Sequence, residues 1–237
     1  MRSPHLSEFE AWDLERLRLP AELTGGVAGR RRPPRHRRGE PFIRGPIPFV
    51  WIAAACRLPG SGLHVAMACR FLCCRYRRPN RWGLDAIAAG LRVSPSAARR
   101  GLHAAEEAGL LAVEREPGCK LAALVLDLPG PEAESGPERR PLYGPIPWGW
   151  WLPASRLPGR SLHVGAVCWL VAGWERSDTF ELALDGWPDL GLSRFSASPG
   201  LSALERAGLV AVARSPGRPP IVTIRAAGAD DRKREGA

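Results

Sequence analysis

The stretch GLHAAEEAGLLAVEREPG, residues 101–118, returns as GLSALERAGLVAVARSPG, residues 200–217. The same offset of 99 residues relates three further pairs: GPIP at 45–48 and 144–147, RLPG at 57–60 and 156–159, and LHV at 63–65 and 162–164. No gap is needed to align the two copies. Because similarity at a fixed offset is typical of duplicated structural units, we expect two copies of one small domain.

The repeat divides the chain of 237 residues into five segments. The two copies occupy residues 45–127 and 144–226, and each is long enough to fold as its own domain. Residues 1–44 form a basic N-terminal arm that we expect to be largely flexible. Residues 128–143, LPGPEAESGPERRPLY, read as a flexible linker, and residues 227–237 as a disordered polar tail.

Each copy predicts the same order of elements. An apolar helix, residues 63–76 or 162–174, precedes a short strand, a short helix and a turn. A longer amphipathic helix follows, at residues 95–108 in the first copy, with Ser94 as its N-cap and Gly109 after its last turn. Two strands around a Pro-Gly turn complete the copy. The predicted fold class is therefore mainly α with small β-hairpins, that is, α+β.

This order of elements is that of a winged helix. The stretch LERAGLVAVARSPGRPPIVTI, residues 204–224, is similar to the end of the recognition helix and the wing of bacterial winged helix-turn-helix regulators. The RLPG and LHV segments also resemble small bacterial proteins of this class. The resemblance covers both copies, about two-thirds of the chain. It implies two winged-helix domains in tandem, a pseudo-dimer that binds double-stranded DNA as a transcriptional regulator.

The charge of the chain agrees with such a partner. There are 34 basic and 24 acidic residues, a formal net charge of +10, and all basic residues except Lys120 and Lys233 are arginine. A GC-rich genome also favours arginine codons, so the net charge rather than the arginine usage carries the inference. A strongly basic chain is expected to bind a polyanion, most commonly a nucleic acid.

Three groups of residues are predicted to contact DNA. Recognition helices of this fold enter the major groove, where arginine binds guanine edges; the first copy offers Ser94, Ser96, Arg99, Arg100 and His103. Leu102, Ala105 and Leu110 would face the core. The wings offer Arg115, Lys120, Arg214 and Arg218. The arm offers Arg30, Arg31, Arg32, Arg35, Arg37 and Arg38, which suit phosphates or a minor groove. For each group the alternative is an ordinary solvated surface.

The second copy departs from this pattern, because SRFSASPGL at residues 193–201 stands where the first copy has SPSAARRGL. Pro199 falls inside the expected helix, where proline costs about 3 kcal/mol. We therefore expect this helix to start late, with Ser198 as N-cap and Pro199 at the first position. Arg194, Ser196 and Ser198 would then lie on a loop, and this copy would read sequence poorly or contact only phosphates.

No motif indicates an enzyme, a cofactor or a small-molecule ligand. His64 and His163 occupy equivalent positions, and we expect both to be structural. Cys69 and Cys73 have a spacing that suits zinc but lack the other ligands of a four-coordinate site. Neither a signal peptide nor a membrane-spanning segment is predicted, and the six cysteines read as free thiols of a cytoplasmic, nucleoid-associated protein.

Two other functions stay open at this point. Replication initiators of plasmids or phages also carry tandem winged helices, and they too bind DNA. A winged-helix scaffold that binds proteins belongs to a different class, and the net charge of +10 argues against it. The sequence leaves open the target DNA, the sign of regulation and whether the pseudo-dimer associates further.

Overall fold

The computed structural model describes residues 32–34, 36, 38–76, 80–115, 121–125 and 140–226. Both copies lie in a single unit that begins at Arg32. No helix within the described residues is long and apolar enough to cross a membrane.

The described part of the first copy combines four helices with a small sheet. After a short strand β1 (Phe42–Ile43), its elements are α1 (Phe49–Arg57), α2 (Gly62–Tyr76), β2 (Asn80–Trp82), α3 (Leu84–Leu91), α4 (Pro95–Glu107), β3 (Leu111–Glu114) and β4 (Leu121–Val125). The strands form an antiparallel sheet in the order β2-β4-β3. The observed fold is therefore mixed, with helices and small antiparallel sheets.

The second copy repeats the first almost element for element. Its elements are β5 (Ile146–Pro147), α5 (Trp148–Ser155), α6 (Ser161–Glu175), β6 (Thr179–Glu181), a 3₁₀ turn (Pro188–Leu190), α7 (Arg194–Arg206), β7 (Val210–Ala213) and β8 (Ile221–Ile224). Its sheet has the order β6-β8-β7, which matches that of the first copy. The bounds of α6, β6, α7 and β7 lie 99 residues after those of α2, β2, α4 and β3. The offset read from the sequence is thus also an offset in structure.

Two helices were not predicted, and one predicted helix is absent. Helices α1 and α5 were not predicted, because each follows a proline, has no side-chain cap and is too short to show a clear period. The short helix predicted for both copies is present only in the first, as α3. In the second copy Gly186 and Pro188 replace Ile87 and Ala89 of α3, and only the 3₁₀ turn forms. Glycine and proline are the two poorest helix formers, which explains the loss.

The helices α2 and α6 are apolar nearly all round, as predicted, and they are deeply buried. Every residue of α6 from Ser161 to Ala172 is buried. One continuous hydrophobic core runs through both copies. The rings of Phe71 in α2 and Trp148 in α5 stack with centroids 4.0 Å apart, which joins the core of one copy to that of the other. Several tryptophans therefore serve packing within or between the copies.

The two copies also pair through their first residues. The strands β1 and β5 are antiparallel, with Ile43 opposite Ile146, and Ile47 bridges Leu142 in the same register. The offset of 99 residues converts the first pair into the second, so the contact is reciprocal, as in a two-fold symmetric interface. Ile43 and Leu142 are fully buried. The end of the arm and the end of the linker therefore belong to the packed structure.

Two equivalent arginines also form reciprocal contacts between the copies. Arg57, at the end of α1, forms an ion pair of 2.8 Å with Asp189 in the 3₁₀ turn of the second copy. Arg156, at the end of α5, donates to the carbonyl oxygen of Gly90 in α3, at 3.1 Å from Nε and 2.7 Å from Nη2. Each arginine of the repeated RLPG segment thus contacts the other copy at equivalent positions.

Candidate nucleic-acid interface

Helix α4 begins at the predicted residue and ends one residue before the predicted end, with Ala108 as its C-cap. The side chain of Ser94 accepts a hydrogen bond of 3.2 Å from the backbone nitrogen of Ala97, and Pro95 occupies the first turn. Gly109 has a φ of +67°, the left-handed conformation that ends many helices. The helix therefore needs no outside partner to fix its ends.

The two faces of α4 are divided as expected. Ala98, Leu102 and Ala105, at helical spacing, are buried against the core. The outward face is exposed and carries Ser94, Ser96, Arg99, Arg100 and His103. Within the described residues, neither Arg99 nor Arg100 has an acidic partner, whereas His103 lies 3.1 Å from Glu107. Two unneutralised guanidinium groups thus stand on the first half of this face.

A close helix crossing holds α4 in place. A Cβ atom on Gly101 would lie 2.9 Å from Oγ and 3.0 Å from the carbonyl oxygen of Ser61, just before α2. The Ser61 hydroxyl donates a 2.7 Å hydrogen bond to the carbonyl oxygen of Ala97 in α4. Gly200 occupies the equivalent position in α7, against Val164 and Arg160. Glycine in mid-helix is therefore required by this contact in both copies.

The late start predicted for the helix of the second copy was wrong. Helix α7 begins at Arg194, and its N-cap is Ser193 rather than Ser198. Ser193 accepts from the backbone of Ser196, and the Ser196 side chain accepts from the backbone of Ser193, so the pair forms a reciprocal capping box. These bonds, with burial of Ala197 and Leu201 below, hold the first turns although Pro199 lies inside the helix. Arg194, Ser196 and Ser198 are therefore helical and not on a loop.

The outward face of α7 differs chemically from that of α4. Ser198 and Pro199 stand at the positions of Arg99 and Arg100, and Phe195 stands at the position of Ser96. The Phe195 side chain is 91% exposed, the highest value among large hydrophobic residues of the described chain. Arg194 and Ser198 are exposed as well, whereas Ser196 is half-buried. The second helix has the shape of the first without its arginine pair.

The wing arginines Arg115 and Arg214 are tied to the helices rather than free. Arg115 donates to both carboxylate oxygens of Glu106 in α4, with one bond of 2.7 Å. Arg214 donates to Glu205 in α7 at 2.7 Å. In both cases the hydrogen bond from the arginine lowers the pKa of the glutamate. Both guanidinium groups stay about half exposed, so each retains donors for a further acceptor.

The other predicted contacts are only partly described. Arg218 is exposed on the turn between β7 and β8, beside Gly217 with its φ of +71°. Arg32 and Arg38 are exposed at the end of the arm. The predicted residues Arg30, Arg31, Arg35, Arg37 and Lys120 lie outside the described residues.

Burial keeps the equivalent histidines and the buried cysteines in their uncharged forms. Burial, helped by the neighbouring Arg160 charge, lowers the pKa of His163 to about 4, and burial does the same for His64. Burial also raises the pKa of Cys56 and Cys168 to about 12. Such thiols stay protonated and act as small hydrophobic side chains.

Sequence reasoning missed the contacts that orient the two copies. The presence of arginine at the equivalent positions 57 and 156 could have indicated them, because a charged residue kept in both copies of a duplicated unit often forms a structural contact.

No protein-family model, curated protein or solved structure matches this chain.

Proposed function

We propose that this protein is a tandem winged helix-turn-helix protein that binds double-stranded DNA as a transcriptional regulator in the nucleoid. The observation that carries the proposal is the outward face of α4, where Arg99 and Arg100 are exposed without acidic partners in the described residues. Arginine in such a position binds guanine O6 and N7 in the major groove.

The order of elements supports this function. In each copy a buried helix, a strand, a second helical segment and a longer helix are followed by a two-stranded hairpin that pairs back onto the first strand. Winged-helix proteins use this order to present the longer helix to the major groove and the hairpin to the flanking backbone. The reciprocal pairing of the copies suits a DNA site with two half-sites.

The two halves of such a site are recognised differently. The α4 face presents two guanidinium groups, whereas the α7 face presents Arg194, Phe195 and Ser198. Since Pro199 and Ser198 replace the arginine pair, we expect guanine preference only in the half-site of the first copy. The second copy contributes phosphate contacts and effective concentration.

Selection of bound duplexes from a random pool tests the proposal. The wild-type protein should enrich a motif whose guanines disappear with the variant Arg99→Ala/Arg100→Ala. Affinity for the enriched site should fall about 10- to 100-fold, as expected for loss of one or two guanine contacts.

The control variant is Arg44→Ala/Arg206→Ala, which removes the same charge from exposed positions outside α4. It should enrich the wild-type motif with at most a few-fold loss of affinity. If the α4 variant and the control enrich the same motif, α4 does not read bases and the proposal is wrong.

A further inference from the structure

A cavity of about 730 Å³ lies beside helix α6. Its walls come from the end of the arm, from the segment before β5, and from the second half of α6 and the residue after it. The lining residues are Arg32, Pro33, Pro34, His36, Arg140, Tyr143, Gly144, Pro145, Trp169, Gly173, Trp174 and Arg176. Its volume falls within the range of pockets that hold small organic ligands. It involves none of the residues on the outward faces of α4 and α7.

The charge of the cavity is one-sided. Arg32, Arg140 and Arg176 line it from three separate segments, and no carboxylate is among the described residues that line it. All three arginines are exposed, so their guanidinium groups can turn toward a bound anion. Guanidinium groups bind phosphates and carboxylates through paired hydrogen bonds. The cavity is therefore suited to an anion.

The remaining walls are aromatic. Tyr143 is 43% exposed, Trp174 is half-buried, and Trp169 is only 2% exposed. The Nε1 atom of Trp169 is buried and has no hydrogen-bond acceptor in the described part of the chain. A buried donor without an acceptor is unfavourable in a folded protein. Trp51 and Trp151 also lack acceptors there, but neither lines the cavity.

The aromatic walls belong to the second copy alone. The offset of 99 residues places Arg44, Arg70 and Arg75 of the first copy at the positions of Tyr143, Trp169 and Trp174. The three aromatic residues of the cavity are therefore particular to the second copy. Trp169 also packs edge-on against Trp150, with ring centroids 5.5 Å apart.

We propose that this cavity binds a small aromatic anion of the nucleotide class. Arg32, Arg140 and Arg176 hold its phosphate groups, and the rings of Tyr143 and Trp174 contact its base. The ligand must match both the arginines and the aromatic side chains. Phosphate alone would leave the aromatic rings without a contact, and an uncharged ring would leave the three arginines without an anion.

Isothermal titration calorimetry of the full chain with ATP tests this inference at near-physiological salt. ATP should bind saturably, with an affinity at least about tenfold higher than that of adenosine or pyrophosphate. Adenosine has the aromatic base without phosphate groups, and pyrophosphate has phosphate groups without the base. Arg140→Ala/Arg176→Ala should weaken ATP binding about tenfold or more. Arg206→Ala, an exposed arginine outside the cavity, should leave it unchanged.

The variant Arg99→Ala/Arg100→Ala separates this site from the proposed DNA-binding face, since it should bind ATP like the wild type. Circular dichroism of every variant checks that it is folded. Three results would overturn the inference: no saturable binding of ATP, equal affinity for ATP and pyrophosphate, or equal effects of the cavity variant and Arg206→Ala. None of them depends on whether the protein binds DNA.

Discussion

Burial is the main reason that the pKa of His163 is lowered, and the charge of the neighbouring Arg160 lowers it further. The His163 side chain is 3% exposed, and its Nε2 atom lies 3.0 Å from the carbonyl oxygen of Cys56 in the other copy and 2.7 Å from Nη1 of Arg160. A proton on this ring would place a second positive charge beside the guanidinium in a buried site. His64 lies close enough to lower the pKa of His163 further. Both histidines are therefore neutral in the folded protein near pH 7.

This arrangement predicts that the folded state loses stability as the pH falls. In the unfolded chain both histidines take up protons near pH 6.5, but in the folded protein they do so only near pH 4. The free energy of unfolding should therefore decrease between pH 7 and 5, by roughly 2 kcal/mol for each histidine. Glu106 and Glu205, whose pKa values are lowered from 4.5, affect stability mainly below this range.

Denaturant unfolding at several pH values measures this effect. The variant His163→Gln should reduce the slope of stability against pH, whatever its effect at pH 7. A wild-type protein with the same stability at pH 7 and pH 5 would show that the histidines are not held neutral.

At the scale of elements, α7 forms despite an interior proline. Pro199 is the sixth residue of the helix and has no N–H to donate to the carbonyl oxygen of Phe195. The capping box of Ser193 and Ser196 and the buried Leu201 and Leu204 hold the helix on both sides of this gap. The proline is thus tolerated at a loss of stability.

Replacing this proline should stabilise the protein. Pro199→Ala restores the N–H group and should increase the free energy of unfolding by about 1 to 3 kcal/mol. Pro95→Ala is the matched control, because the first residue of α4 has no helical acceptor for its N–H and the change should be nearly neutral. Thermal unfolding measures both. An unchanged or lower melting temperature for Pro199→Ala would mean that the proline fits its site without loss.

The sequence predicts some features of the helices and not others. The ends and faces of α4 follow from Ser94, Pro95, Gly109 and the spacing of its apolar residues, all of which are local signals. The predicted start of α7 was wrong because its capping box has Ser196 where glutamate or glutamine is usual, and because Pro199 indicates a helix that begins later. The cavity beside α6 could not be predicted, since its walls come from segments more than 100 residues apart.

For the whole molecule, the pairing of the copies depends on two glycines. Gly45 and Gly144 face each other where the two antiparallel segments cross, and a Cβ atom on Gly144 would lie 2.6 Å from the backbone nitrogen of Gly45. No real Cβ atom approaches backbone so closely, so any side chain here would push the segments apart. The reciprocal register of residues 43–47 and 142–146 follows from this contact.

Gly144→Ala should therefore destabilise the whole protein, because one continuous core joins the copies. The expected loss is about 2 kcal/mol or more, the size of an overpacked core position. Gly90→Ala, where nothing lies within 4 Å of the added atom, should be neutral or stabilising by up to about 1 kcal/mol. Equal melting temperatures for Gly144→Ala and the wild type would show that the segments can separate without loss.

The proposed binding of DNA depends on the charge of the whole molecule, since the net charge of +10 acts together with the exposed arginines of α4. A protein that neutralises phosphates releases counterions, so its affinity for DNA falls steeply with salt, whereas a protein-binding scaffold shows no such dependence.

The most direct measurement is the affinity of the full chain for a random-sequence duplex as a function of salt. With about four phosphates contacted, affinity should fall about a hundredfold as salt rises from about 50 to about 200 mM, linearly on logarithmic axes. Absence of binding at the lowest salt, or an affinity that does not change with salt, would contradict the account.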